Sequence, residues 1–218
     1  MTELTQQDID NHCAGLDISR ENLTEFVIPD GVTEIDSRAF YRCTALQSIT
    51  IPDNVTKIGR EAFRNCTSLT SIKIPYGVTT IGEQAFLKCT SLQSIIVPNS
   101  VTEIRSFAFS YCTSLTSITI PDSVTDIGKS AFRRCTSLSS ISIPDSVAEI
   151  SESAFADCHS LTSITIPNSV NEIGPGAFSL CPSLTQVICN NPDLFTRINI
   201  ENKDQIQFIS TAEYFKEN

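Results

Sequence analysis

The 218-residue chain has no long apolar run, only two histidines, and far fewer bases than acids. Each shortage excludes something. No window approaches the roughly 20 apolar residues that a membrane-crossing helix needs, so no insertion into a bilayer is expected. His12 and His159 follow no metal-ligand spacing with the cysteines, so no zinc site is expected. Neither histidine is placed to activate a serine. The chain also lacks a phosphate-cradling glycine motif, a G-x-S-x-G turn and an H-E-x-x-H helix. The expectation is a protein that is not an enzyme, with no catalytic residues and no cofactor. A net charge of −10 with no basic stripe argues against nucleic acid as a partner. The segment from Met1 to Asp8 has neither the positive region nor the apolar core of a Sec-type signal peptide. The matching expectation is a cytoplasmic protein or one exported by another route, or a surface or secreted one if a signal has been trimmed.

What the chain does have is one 23-residue text written seven times without a gap. The copies begin at Ile28, Ile51, Ile74, Val97, Ile120, Ile143 and Ile166, and the seventh closes at Ile188. Their shared form is I-P-x-x-V-x-x-I-x-x-x-A-F-x-x-C-x-x-L-x-x-I-x. A fixed period in the twenties means one supersecondary unit per copy, stacked so that neighbours complete each other's core. Numbering each copy from 1 to 23, the apolar positions 1, 5, 8, 12, 13, 16, 19 and 22 form inward-facing columns. The stretch from Leu69 to Pro75 typifies the strand: Leu69, Ile72 and Ile74 point in, and Thr70, Ser71 and Lys73 point out. Its L-x-x-I-x-I spacing is the strand signature of leucine-rich repeats. Parallel strands at about 4.8 Å per copy then build one sheet. Proline at position 2 lacks an N–H and ends each strand. Glycine at position 9 (Gly59, Gly82, Gly128 and Gly174) suits a backbone bend. The Ala-Phe-x-x-Cys segment is expected to form a short helical or 3₁₀ turn on the outer side.

On these residues the chain resembles the BspA-like class of leucine-rich repeats, at every fixed position of all seven copies. The resulting expectation is an α/β solenoid of seven full repeats. It has a curved parallel β-sheet on its concave side and short helical or 3₁₀ turns on its convex side. The resemblance implies most commonly a microbial surface or secreted protein that binds host proteins, with some members in intracellular or eukaryotic contexts. It supplies no catalytic residues. Residues 1–27 read as an N-terminal cap containing a half-repeat, 28–188 as the array, and 189–218 as a C-terminal cap. In the first cap, Thr5-x-x-Asp8 is a capping signal for a short helix. In the last, residues 194–200 and 206–209 alternate like strands, and 210–215 suggest a helical turn.

Seven of the nine cysteines fall in one column, from Cys43 to Cys181. In-register side chains point in parallel rather than toward each other, so these read as small buried hydrophobes and not as disulfides. Cys13 and Cys189 lie off the column at opposite ends. Function must therefore sit where copies differ. Positions 20, 21 and 23 present a nearly uncharged face rich in Ser and Thr. Lys73, Tyr76 and Ile96 interrupt it, with Gln47 and Gln93 flanking. Aromatic and apolar anchors amid neutral contacts are what interaction hot spots look like. The reading is a non-catalytic scaffold binding a partner protein through the concave face, monomeric or weakly self-associating. The alternatives are carbohydrate binding, or a purely structural, assembling solenoid. On the outer side, Arg105, Phe107, Tyr111 and the Arg133-Arg134 pair also depart from the pattern.

Overall fold

The computed structural model describes residues 3–191, Leu194 and 207–210. The expected strand at 207–209 is present. Most of the other strand-like segment, residues 195–200, and the helical turn expected at 210–215, from 211 onward, lie outside the described residues.

Each copy makes one rung of a parallel β-solenoid. The chain enters through helix α1 (Gln6–Gly15), which the Thr5–Asp8 capping box starts as its sequence signals. Three-residue strands then recur at positions 21–23 of every copy, from Ser48–Thr50 to Gln186–Ile188, preceded by Glu25–Val27 in the half-repeat. Their partners are in register 23 residues apart: Ser71 pairs Ser94, Ile72 pairs Ile95 and Lys73 pairs Ile96. The last step shortens to 21 residues, where Gln186 pairs Gln207. The period is kept because a one-residue slip would turn every buried Ile outward.

A second parallel ladder runs along positions 7 and 8, where two-residue strands such as Glu34–Ile35 and Lys57–Ile58 stack. The N-terminal Glu3–Leu4 adds its first strand. Between the ladders the core is a set of columns. The seven position-13 phenylalanines, Phe40 to Phe178, are essentially sealed from solvent. They stack ring on ring with centroids 5.2 to 5.6 Å apart. At the N-terminal end Phe26 and His12 continue the column edge to face.

The outer arc differs from the helical or 3₁₀ turn read from Ala-Phe-x-x-Cys. It is a chain of isolated turns, because positions 11 and 15 take positive φ in all seven copies: Arg38 and Arg42 in the first, Gln84 and Lys88 in the third, Gly176 and Leu180 in the last. A left-handed residue every fourth position stops helix propagation. The arc instead hydrogen-bonds from rung to rung. The N–H groups of Arg38, Phe40 and Arg42 donate to the carbonyls of Arg60, Ala62 and Arg64 at 2.8–2.9 Å, and the later rungs repeat this. The arc is thus a third ladder. The position-9 glycines, whose N–H groups end the second ladder, also make room for the rung before. A Cβ on Gly128 would sit 2.6 Å from the Ser106 backbone nitrogen of the rung before.

All nine cysteines are buried and unbridged. The column thiols are more than filler. From Cys66 to Cys181 each Sγ–H donates to the phenylalanine carbonyl one rung back, as Cys89 does to Phe63 at 3.1 Å.

Candidate binding faces

Folding sorts the repeats' charges by face. Positions 1–8, the proline turns and short strands, carry nine acids and only Lys57 as a base. Positions 9–15, the outer arc, carry nine bases and five acids. Positions 16–23, leading into and through the strand face, carry no acid and only Lys73. The basic stripe missing from the linear sequence is therefore assembled by the fold. The period held the signal, since counting charge by repeat position reveals it and counting by segment hides it.

On the strand face Tyr76 is 68% exposed and Ile96 63%. Lys73 lies beside Ile96 in strand register. Its Nζ sits 5.5 Å from the centroid of the Tyr76 ring and 3.9 Å from Asp53 Oδ1. The three outliers thus gather at one place, on the two-stranded ladder Ser71–Lys73 and Ser94–Ile96 and the turn that follows its first strand. Gln93 is exposed just ahead of Ile96, and Gln47 is exposed two rungs toward the N-terminus. Val27 extends the apolar surface and had escaped notice. It pairs with Thr50, is 70% exposed and occupies position 23 of the half-repeat. Projecting the register back one copy would have found it.

The outer arc is polar and organised around two buried carboxylates. Glu61, at 2% exposure, receives Arg38 at 3.1 Å, Arg60 at 3.3 Å and Arg64 at 3.1 Å. Burial alone would raise the Glu61 carboxyl, but Arg38 and Arg64 hold it below the usual carboxylate range. Asp157 likewise receives Arg133 and Arg134. Two tyrosines are flanked by cations: Tyr41 by Arg38 and Arg64, and Tyr111 by Lys88 and Arg134, the last 5.0 Å from the ring. Many hydroxyls are occupied within the stack. Thr67 donates to the Thr44 carbonyl and Ser123 to that of Val101, each one rung back. Among the described residues no group of three or more His, Cys, Asp or Glu side chains could hold a metal ion. No described helix is long and apolar enough to cross a membrane.

Identical rungs joined by parallel ladders over Phe, Cys and Leu columns define a leucine-rich-repeat solenoid of about seven turns. Residues 18–136 and 102–211 match the BspA type leucine-rich repeat region (6 copies), and the chain belongs to that family. Repeats of this kind commonly serve protein interaction and are generally not enzymes. A leucine-rich-repeat protein from T. pallidum is 35% identical, with 80% of each chain covered and a TM-score of 0.72. One from Eubacterium ventriosum is 32% identical at a TM-score of 0.68, covering 75% of this chain and 44% of that one. A third, from Bacteroides ovatus, is 29% identical at 0.54, covering 87% and 63%. No curated protein matches the chain.

Proposed function

We propose that the protein is a non-catalytic scaffold, adhesin-like or effector-like, that holds a partner protein on its strand face. Lys73, Tyr76 and Ile96 anchor the contact, and Gln93 and Gln47 supply polar flanks. Residues 1–27 and 189–218 serve as caps that cover the ends of the array. The observation that carries the reading is the exposure of Tyr76 and Ile96 side by side with Lys73, on a face otherwise lined by small hydroxyls. Large rigid side chains ringed by neutral contacts concentrate binding energy. The rungs step 5.2–5.6 Å at the phenylalanines against about 4.8 Å expected between strands, which supports a bend with the strand face inside. A concave face wraps a convex protein surface.

Carbohydrate binding is the weaker reading. Sugar sites stack rings on exposed aromatics, and among the described residues Tyr76 is the one exposed aromatic near this face. Two of the hydroxyls, Ser139 and Thr185, are also engaged with the carbonyl of the preceding rung. The test is retention of host proteins and of glycans by the wild type and by a Tyr76→Ala/Ile96→Ala variant. Retention of a protein that falls at least about tenfold in the variant is expected for a hot spot. Equal retention by both, or retention of glycans alone, contradicts the proposal.

A further inference from the structure

The separation of charge by face has a second use. We propose that the outer arc of copies 1–5 docks the acidic short-strand face of a second copy of this chain. In those five copies positions 9–15 carry nine bases against three acids, and Glu152 and Asp157 of copy 6 pair with Lys129, Arg133 and Arg134. Arg42, Arg64, Lys88, Arg133 and Arg134 line positions 14 and 15, spanning about 21 Å along the phenylalanine column. Arg42 and Lys88 enter no ion pair among the described residues, and a cleft of about 260 Å³ beside Lys88 and Tyr111 opens between the rungs.

The complementary surface is position 7 of copies 4–7. Glu103, Asp126, Glu149 and Glu172 stand there in one column, Glu103 directly opposite Asp126 and Glu149 directly opposite Glu172. Like charges so placed repel and weaken a ladder unless cations meet them. Among the described residues, Glu103 is the one of these four with an ion pair, to Arg105 at 3.1 Å. Column and arc both repeat once per rung. Their pitches, about 4.8 Å at the strands and 5.2–5.6 Å at the phenylalanines, drift apart by only about 2 Å over four rungs. Arginine forks suit carboxylates, so several pairs form at once. The two faces differ, which makes the contact heterologous, and each molecule keeps a free arc and a free column.

Sedimentation velocity at about 20 and about 300 mM NaCl tests this, because exposed charge pairs are screened over that range. The expected result is concentration-dependent association at low salt that weakens at least about tenfold at high salt. Arg42→Asp/Lys88→Asp is compatible with the left-handed backbone, since Asp157 occupies that position in copy 6. Glu149→Lys/Glu172→Lys has its precedent in Lys57. Each variant alone is expected to stay monomeric, and an equimolar mixture of the two to associate again. Wild type that stays monomeric at low salt overturns the proposal even if a variant fails to fold. So does association that ignores salt, that the mixture does not restore, or that Tyr76→Ala/Ile96→Ala abolishes. The last result would instead place self-contact on the strand face and leave the arc without this role.

Discussion

A phenylalanine carbonyl in this stack accepts two donors, its own rung's cysteine N–H and the thiol of the next rung. Phe63 does so from Cys66 N and Cys89 Sγ, both at 3.1 Å. This explains a cysteine at position 16 better than size alone, since alanine would leave a gap and no donor. Burial also keeps the thiols protonated. It pushes Cys43, Cys89 and Cys135 up to about 12 and Cys181 to about 11, from an ordinary value of 9.0. The unfolded chain loses these protons near 9 while the folded chain retains them. Stability is therefore fully present below pH 9 and falls as pH rises toward 12, by about 1.4 kcal/mol per unit for each thiol. Urea unfolding at pH 7.5 and 10 is expected to show a clear loss of stability at the higher pH, and Cys89→Ala/Cys135→Ala a smaller loss. Equal stability at both pH values would refute the buried-thiol assignment.

Among the elements, the strand face was readable and the outer arc was not. Leu69, Ile72 and Ile74 announce their strand by local spacing. Ala-Phe-x-x-Cys has helical spacing too, yet what fixes its backbone is bonding to neighbouring rungs, which no local pattern encodes. The same holds for Gly128, whose necessity comes from the Ser106 backbone of the rung before. The left-handed positions give the sharpest check. Leu180 has φ of 57° and is 45% exposed, so its side chain contributes little packing. Leu180→Asn is expected to leave the thermal midpoint unchanged or raise it. Leu180→Val is expected to lose about 1–2 kcal/mol, because a β-branched side chain clashes in that conformation. Equal midpoints would mean the arc is not held left-handed.

At the scale of the molecule, the ends decide whether the array holds. Copy 1 has no full rung before it, and Arg20, standing where a cysteine would, fills the gap. Its guanidinium donates to the carbonyls of Ala39 and Tyr41, whose counterparts in later rungs accept backbone N–H groups from the rung before, and pairs with Asp10 at 2.6 Å. Counting the register back places Arg20 at position 16 of the half-repeat, but its bonding depends on where α1 lies. Arg20→Ala leaves two carbonyls and an acid without partners. It is expected to cost about 2–5 kcal/mol and to release amide protection first in residues 3–50, by hydrogen exchange. The most direct measurement of the binding role is site-specific photocrosslinking, with a benzophenone side chain placed at Ile96, at Ser142 further along the same face, and at Leu180 on the arc. Protein adducts from position 96, with few from 142 or 180, are the expected result. Adducts from position 180 and none from 96 would contradict a partner held on the strand face.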